Sequence, residues 1–237
     1  MVLSSSDSLD SLGAAELARV AAPMASAWTL PPAAYIHPSV WDTEVASIFR
    51  RDWVCVARSS QIAEPGDYVA VDLVDQPVLV IRDDDRSLRA MSNVCLHRSM
   101  PLVSGSGSTR WIVCPYHLWS YSRDGSLHTA PMMEDADGFE IDRCSLPQLA
   151  VEEWQGFVFV SMDDDPAPLA PQLEPLTATL GQYGLGDLVI ADTIEFDSPW
   201  NWKLLVENFM EAYDHFGPHR VTFQKSNPAK QSFVVDN

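Results

Sequence analysis

The chain has 237 residues, 46% of them hydrophobic, which is enough for one sizeable core and part of a second domain. Its formal net charge of −18 argues against binding to a nucleic-acid backbone or to an anionic membrane surface, because proteins that bind either usually present a basic face. The sequence contains no apolar run of about eighteen residues, so no membrane-spanning helix is expected.

The N-terminal segment, residues 1–39, is predicted to be a partly helical arm. Unlike a secretory signal, it has no basic start and is interrupted by acidic residues, so we expect a cytoplasmic protein. A helix is predicted from Pro38 onward, because Val45, Ile48 and Phe49 recur on one helical face.

Residues 40–162 are predicted to form an antiparallel β domain of three small sheets. The segments of this region are short, rich in valine and isoleucine, partly alternating, and separated by turn signals such as Glu-Pro-Gly at 64–66. The predicted strands are WVCVARS, DYVAVDL, PVLVIR, SLRAMSNV, WIVCPY and GFVFVSM. Two aspartate runs, at 83–85 and 163–165, are interpreted as solvated turns and not as metal sites.

Residues 163–237 are predicted to be a proline-rich linker followed by part of an α+β domain. The segment LVIADTIEF is predicted to be a strand, and Ser198 and Pro199 then provide an N-cap and a first-turn proline for a helix. That helix is predicted to end near Phe216, before a Gly-Pro pair. Its buried face is predicted to consist of Trp202, Leu205, Val206, Phe209 and Tyr213.

The strongest motif places Cys95 and His97 as C-x-H and, sixteen residues later, Cys114 and His117 as C-x-x-H. Each short spacing lets one tight loop present a thiolate and an imidazole in almost the same direction. Two such loops facing each other can supply two sulfurs to one iron and two nitrogens to another, which is the arrangement of a Rieske [2Fe–2S] centre. Such a cluster relays one electron at a time, at a potential of about −150 to +300 mV.

A zinc site with two cysteines and two histidines uses the same ligand types. Zinc fingers usually pair Cys with Cys and His with His in sequence, whereas each short pair here is mixed, so the spacing favours the Rieske centre. The remaining cysteines, Cys55 and Cys144, are expected to be plain core or half-buried thiols.

The motifs resemble a known family. NVCLHRSMPLV followed by CPYHLWSYSRDGSL resembles the Rieske domain of the Rieske non-haem iron oxygenases, of the large-subunit type of the aromatic-ring-hydroxylating dioxygenases. SPWNWKLLVENFMEAYDHFGPH resembles the start of that family's catalytic domain, and the whole resemblance covers about residues 29–223. Leu118 stands where the family often has glycine. The resemblance implies a mainly β fold, in which a Rieske domain of small antiparallel sheets is followed by a truncated, helix-grip-like α+β segment.

In that family two histidines and a downstream carboxylate bind a mononuclear ferrous ion. The resemblance places His219 at the second histidine but Asp214 at the first, with His215 beside it, and the chain ends at Asn237 before the family's carboxylate. Three interpretations stay open: a metal held with a ligand from another chain, a degenerate site in an electron-relay subunit, or a fragment of a longer oxygenase. Surface polar residues at a helix end are the alternative to any metal role.

The resemblance also assigns roles on the same helix. It implies that Glu211 forms a hydrogen-bonded bridge to a cluster histidine of a neighbouring subunit, where electrons cross, and that Asn208 belongs to the catalytic motif. A carboxylate in that place fixes the tautomer of a metal-bound histidine. Glu211 needs no iron in its own chain for this role.

The implied function is that of an oxygenase subunit. A ferredoxin or a flavin reductase would supply electrons, and the [2Fe–2S] cluster would pass them to a mononuclear Fe(II) in a companion chain for O2-dependent hydroxylation or demethylation of an organic substrate. A second Rieske oxygenase chain in a trimer-like ring is the expected partner. The acidic charge favours solubility and also suits docking to a basic patch on a redox partner.

Two other classes of protein remain alternatives. Stand-alone Rieske electron carriers are shorter and lack the NWKLLVENFMEAY helix, so that helix favours the oxygenase. The other alternative is a structural zinc protein, in which the same four ligands would surround one ion.

Overall fold

The structure, a computed structural model, describes residues 12–231 except Met24 and Glu134. It divides into a larger unit, residues 42–193, and a smaller unit that combines residues 1–41 with residues 194–237. None of the helices in the described part of the chain has the length and apolar character that a membrane span requires.

The described part of the larger unit contains ten strands, and all neighbouring strands pair antiparallel, as predicted. They are β1 Val54–Arg58, β2 Asp67–Leu73, β3 Gln76–Arg82, β4 Leu88–Ser92, β5 Ser106–Ser108, β6 Ile112–Val113, β7 Ser120–Tyr121, β8 Leu127–Thr129, β9 Gln148–Trp154 and β10 Phe157–Ser161. Seven form one sheet in the order β1-β10-β9-β4-β3-β2-β5, and three form a second sheet, β6-β7-β8. The number of sheets is therefore two and not three, because the short pairing of β4 with β9 joins two groups of strands.

Strand β3 lies between two hydrophobic clusters and defines where the candidate site sits. Successive side chains of a strand point to opposite faces. Val78 and Val80 accordingly pack in one cluster, while Leu79 and Ile81 pack in the other, which also contains the two motif cysteines; all four β3 residues are fully buried. Burying each such side chain contributes about 1.5–3 kcal/mol. The cysteines are therefore anchored to the best-packed part of the molecule.

The helices are α1 Ala14–Val20, α2 Ala33–Ile36, α3 Pro38–Glu44, α4 Leu169–Gln172, α5 Glu174–Leu180, α6 Trp202–Met210 and α7 Phe223–Ser226. The helix predicted from Pro38 is present as α3 and continues in a π-helical turn, Val45–Phe49. Helix α1 confirms the partly helical character of the arm, whose residues 1–11 lie outside the described residues.

In the smaller unit a hydrogen-bonded contact joins the N-terminal segment to α6. The Tyr35 hydroxyl donates to the Glu207 carboxylate at 2.7 Å, and the Asn201 amide donates to the Tyr35 carbonyl at 3.1 Å. Asn201 is also the N-cap of α6, because its side-chain oxygen accepts from the Lys203 N–H at 3.0 Å. The helix therefore begins after Asn201, and the predicted start at Ser198 and Pro199 is wrong.

Two further predicted elements of the C-terminal region differ from the structure. Residues 188–196 form no strand in the described chain, where they have no neighbouring strand to pair with. Helix α6 ends at Met210 and not near Phe216, because Glu211 has an extended backbone; residues Tyr213–Phe216 form a separate 3-10 turn. A helix this short depends on packing of its apolar face, and that packing is missing here.

The apolar stripe predicted for α6 is not buried. Phe209 is 81% exposed, and Leu205, Val206 and Tyr213 are exposed as well, while Trp202 is half-buried. The stripe exists in the sequence, but no described element covers it. Cys55 also differs from expectation, since it lies on the outward face of β1 and is exposed, whereas Cys144 is half-buried as predicted.

Candidate metal centre

Two loops of the larger unit carry the cysteine–histidine pairs, and their backbones follow the same pattern. The N–H of Cys95 donates to the carbonyl of Met100 at 2.9 Å, and the N–H of Cys114 donates to the carbonyl of Trp119 at 2.8 Å. In each loop the residue four positions after the cysteine donates back to the cysteine carbonyl and has a left-handed φ, +51° for Ser99 and +61° for Leu118. The motif thus gives two similar loops, each offering one thiol and one imidazole.

The left-handed conformation explains why glycine suits position 118. An L-residue there is strained by roughly 1–2 kcal/mol, and glycine is not. Leu118 accepts that conformation and leaves its side chain 62% exposed. The strain is therefore not offset by burial of the leucine within the chain.

The two loops place the motif cysteines in one hydrophobic cluster and the motif imidazoles in contact with each other. Cys95 and Cys114 are each only 2% exposed and belong to the same hydrophobic cluster. The rings of His97 and His117 lie edge to face with centroids 4.7 Å apart, His97 half-buried and His117 exposed. All four cysteines of the chain are free thiols, so Cys95 and Cys114 are not joined in a disulfide.

One atom of this site lacks any partner that the protein can supply. His97 Nδ1 is buried and forms no hydrogen bond, although such a buried polar atom is normally satisfied. Burial, with further contributions from His117 and Arg98, lowers the pKa of His97 and so favours the neutral imidazole that can bind a metal. The orphaned nitrogen, the two buried thiols and the second imidazole fit a [2Fe–2S] cluster.

The arrangement also bears on zinc. A structural zinc ion needs four ligands around one point. Among residues 12–231, without 24 and 134, no three or more His, Cys, Asp or Glu side chains are placed to hold a single metal ion. A Rieske centre uses one pair of thiolates at one iron and one pair of imidazoles at the other, so the mixed spacing of the two loops is what favours it over zinc.

Tyr121 is a site residue that the motif did not reveal. Its hydroxyl lies 3.3 Å from Cys95 Sγ and accepts the Leu96 N–H at 3.0 Å. Burial and the interaction with Cys95 raise the pKa of Tyr121 well above its ordinary value, so the hydroxyl keeps its proton and can donate to the sulfur. The available signal was an aromatic residue in the short β7 strand directly after the second loop.

Aromatic rings pack around the imidazoles. Trp119 stacks on His97, with centroids 5.0 Å apart and planes 9° apart, and Tyr116 lies against His117 with centroids 3.7 Å apart. Trp119 is buried, so it fixes the orientation of the His97 ring from inside the domain. Sequence reasoning missed this role as well.

The surface around the imidazoles is apolar, apart from one cation. Leu96, Met100, Tyr116 and Leu118 are all exposed there, and Arg98 is exposed in the first loop. Clustered exposed apolar side chains commonly mark an interaction site. We refer to these residues, with His97 and His117, as the imidazole face.

In the smaller unit the candidate iron ligands gather loosely. The Asp214 carboxylate lies 3.5 Å from His219 Nε2 and 3.9 Å from His215 Nε2, and Asp214 Oδ1 is buried without a hydrogen-bond partner. His215 Nδ1 contacts the Asn227 carbonyl at 2.7 Å, which leaves Nε2 as its free nitrogen. These three do not form a recognisable metal-binding group among the described residues.

Glu211 and Asn208 are both exposed. Glu211 follows the last residue of α6, in an extended conformation, and Asn208 lies on α6 itself. Exposure leaves the Glu211 carboxylate accessible to another protein. Its role and that of Asn208 remain predictions.

Comparison with known proteins agrees with this geometry. The model of the Rieske [2Fe-2S] domain matches residues 52–149. The carnitine monooxygenase oxygenase subunit of Acinetobacter baumannii is 38% identical over 203 residues, covering 84% of this chain and 54% of the relative. The glycine betaine monooxygenase oxygenase subunit of Chromohalobacter salexigens is 33% identical over 192 residues, covering 81% of this chain and 43% of the relative. The chain therefore spans about half the length of these curated relatives.

Solved structures of Rieske oxygenases also align with this chain. A crystal structure of the quaternary ammonium Rieske monooxygenase CntA in complex with L-carnitine aligns with a TM-score of 0.79 at 37% identity, covering 89% of this chain and 59% of that one. Naphthalene 1,2-dioxygenase from Rhodococcus sp. aligns with a TM-score of 0.77 at 28% identity, covering 94% of this chain and 53% of that one.

Proposed function

Because the chain belongs to the Rieske non-haem iron oxygenase family, we propose that it serves as the electron-relay component of such an oxygenase. The observation that carries the proposal is the meeting of two buried thiols and two imidazoles, with His97 Nδ1 buried and unpartnered. The domain that holds them is proposed to extend over residues 40–162.

We assign the ligands in pairs. Cys95 and Cys114 would bind one iron through their thiolates, and His97 and His117 would bind the other through imidazole nitrogens. The bound cluster would supply one-electron transfer and no bond chemistry of its own. Around it, Tyr121 would donate to the Cys95 sulfur and so influence the potential, and Trp119 orients the half-buried His97 ring.

The imidazole face is proposed to be where electrons leave. His117 is exposed there, and the same face carries exposed apolar side chains and Arg98, which suits the approach of a carboxylate from a neighbouring chain. Glu211 is exposed and is proposed to play that role toward the next subunit of a ring. A ferredoxin or a flavin reductase would be the electron donor.

The substrate class follows from the relatives. These are named as monooxygenases of carnitine, glycine betaine and choline, and CntA is described as acting on quaternary ammonium compounds. We therefore propose that the assembly containing this chain hydroxylates or demethylates a quaternary ammonium compound with O2, at a mononuclear iron held by a companion chain. The share of the relatives matched here leaves about half of their length outside this proposal.

A second candidate places an iron in this chain as well. Asp214 Oδ1 is buried and unpartnered, and His219 Nε2 approaches the same carboxylate. With one more ligand from another chain, Asp214, His219 and His215 would approximate the set of ligands that non-haem iron sites use.

Iron content and spectroscopy test the proposal. The chain is to be purified anaerobically from iron-replete cells, alone and together with longer Rieske-type proteins. We expect a reddish-brown protein with about two irons per chain and, after reduction, an EPR signal of low average g. About three irons per chain in the co-purified assembly would favour the second candidate. A colourless, zinc-containing or iron-free protein would contradict the whole assignment.

A further inference from the structure

An open groove of about 530 Å³ lies on the larger unit. Its walls come from residues 128–131 at the end of β8 and from Met133, Phe139 and Ile141 of the following loop. The same three loop residues pack against the hydrophobic cluster that contains Cys95 and Cys114. The groove is therefore mostly apolar, and its loop residues pack on the same hydrophobic cluster as the two cysteines.

Two ring contacts connect the groove to His97, a proposed ligand of the [2Fe–2S] cluster. The Phe139 ring lies 5.6 Å from the Trp119 ring, centroid to centroid, and Trp119 stacks on His97 at 5.0 Å. A protein seated in the groove would touch Phe139 and would be separated from a cluster ligand by a single buried tryptophan. That is a short route for an electron, and it reaches His97 from the side of the buried Trp119.

The groove loop presents an apolar side chain outward. Met132, between two groove residues, is 92% exposed and has a left-handed φ of +64°. Both the exposure and the backbone conformation are unfavourable in the isolated chain. Methionine at an exposed position is well suited to a docking surface, because its flexible thioether adapts to a partner.

The loop is acidic. Asp135, Asp137 and Asp142 are exposed and form no ion pair with any described residue, while Glu140 is neutralised by Arg143 at 2.8 Å. The cysteine–histidine loops, in contrast, contain Arg98 and no carboxylate. The two routes to the cluster therefore differ in charge, one acidic and one basic.

We propose that the groove and its acidic rim are the docking site of the electron donor, a redox protein with a basic contact face around an apolar projection. This inference rests on the proposed relay function and separates the face where electrons enter from the face where they leave. In each encounter the donor's reduced flavin or iron–sulfur group loses one electron and the cluster gains it. No bond forms or breaks, and no proton is transferred.

Oxidised cytochrome c, a small and strongly basic electron carrier, is the probe. Mixed with the dithionite-reduced, cluster-loaded chain, it takes up one electron per haem, and stopped-flow absorbance gives the second-order rate. In the Asp135→Asn/Asp137→Asn double variant we expect this rate to fall about fivefold or more at low ionic strength, with a weaker dependence on salt. Calorimetric affinity for cytochrome c should fall in parallel, and that measurement needs no cluster.

The matched control is Asp164→Asn/Asp165→Asn, which removes the same charge from another exposed run of the larger unit. Its rate should stay within about twofold of the wild-type rate. A second pair separates the apolar contact from the charge. Met132→Gln should slow transfer, while Val74→Gln, at another exposed left-handed position, should not.

If both aspartate double variants slowed electron transfer equally, the net charge of the chain would explain the effect, and the proposal would be overturned. So would unchanged rates and affinities in the Asp135/Asp137 and Met132 variants, or a change in self-association seen by sedimentation, which would make the groove an interface between copies of this chain. The absorption spectrum and midpoint potential of each variant report separately on the cluster. Loss of the cluster in the wild-type protein would instead count against the relay function.

Discussion

The larger unit buries a core of large apolar side chains, whereas the C-terminal part of the smaller unit exposes most of its own. In the larger unit Val78, Leu79, Val80 and Ile81 are completely buried between two clusters. Among residues 194–231 most of the large apolar side chains are exposed, including Phe196, Phe209, Met210 and Tyr213, each by about 80%. One region folds on its own core, and the other presents a hydrophobic surface.

Exposed apolar patches of that extent mark interaction sites. Helix α6 has the right period for a buried stripe but only nine residues, and in water a helix so short depends on packing. The C-terminal region therefore presents an apolar surface that no described element covers. The match covers 54% of the carnitine monooxygenase oxygenase subunit of Acinetobacter baumannii.

The largest expected effect is at the cluster. Cys95→Ser should abolish most of the iron and visible absorbance, because one iron loses half of its protein ligands. Since metal binding is coupled to folding, the larger unit should also become less stable, while residues beyond 194 should be unaffected. Iron analysis and absorbance spectra measure the loss of the cluster, and urea unfolding measures the loss of stability.

Cys55→Ser is the control for that change, since Cys55 is an exposed thiol on β1. It should keep the iron content of the wild type. Equal iron in the Cys95 and Cys55 variants would contradict the ligand assignment.

Core truncation tests the difference in packing directly. Leu79→Ala should lower the free energy of unfolding by about 2–5 kcal/mol, because Leu79 is fully buried. Phe209→Ala removes a larger side chain but, at 81% exposure, should cost less than about 0.5 kcal/mol in the isolated chain. Urea unfolding of both variants gives the comparison.

The same phenylalanine should matter once a partner is present. Phe209→Ala is expected to weaken co-purification with a longer Rieske-type chain, while Leu79→Ala, refolded at low temperature, should bind normally. If Phe209→Ala destabilised the isolated chain as much as Leu79→Ala, the C-terminal region would have a core of its own and the contrast would be lost.

The same contrast explains where sequence reasoning succeeded. Short-range patterns predicted the antiparallel strands and the cysteine–histidine loops, because turns and spacing act within a few residues and the partners needed to complete them lie in this chain. The prediction for LVIADTIEF assumed a pairing strand, and that for α6 assumed a covering surface. Neither is present among the described residues. Tyr121 was missed because its contact with Cys95 joins positions 26 apart, which no local pattern reveals.

A polar change at the end of α6 should affect only the assembly. Glu211→Gln keeps size and polarity but removes the charge proposed to hold a neighbour's histidine, and such supporting carboxylates are worth about 10–100-fold in activity. Turnover of the assembled oxygenase should fall within that range, and the cluster spectrum of the isolated chain should not change.

Glu195→Gln is the matched control, an exposed glutamate in the same region. It should leave turnover intact. If both glutamate variants had wild-type turnover, the bridging role of Glu211 would have to be abandoned.

A smaller effect is expected inside the larger unit. Tyr121→Phe removes a hydrogen bond to Cys95 Sγ that stabilises the more negative, reduced cluster, so the midpoint potential should fall. A bond worth about 1 kcal/mol corresponds to a shift of roughly 40 mV for one electron. Redox titration followed by EPR measures it. Tyr68→Phe, in the same cluster of residues but without such a bond to sulfur, should leave the potential unchanged; a matching shift there would remove the hydrogen bond as the cause.

The smallest effect concerns the hydrogen bond between Tyr35 and Glu207, which is one of the contacts that link α6 to the N-terminal segment. Burial and the Glu207 carboxylate raise the pKa of Tyr35 from 10.0 to about 12, because the neutral hydroxyl donates to Glu207. The contact therefore stabilises the fold fully below pH 10 and is lost as the pH rises from 10 to about 12. Since Tyr35 is only partly buried, its contribution is below about 1 kcal/mol.

Tyr35→Phe should abolish that pH dependence. Hydrogen exchange of the α6 amides is the suitable measurement, because it reports on local opening that global unfolding would hide. Protection in the wild type should decline between pH 10 and 12 more steeply than in Tyr35→Phe, whereas Tyr183→Phe, at an exposed position, should behave like the wild type. Identical pH profiles for the wild type and Tyr35→Phe would mean that α6 is held by something other than this bond. If the apolar stripe of α6 were buried, the protection of the α6 amides would not depend on a single hydrogen bond.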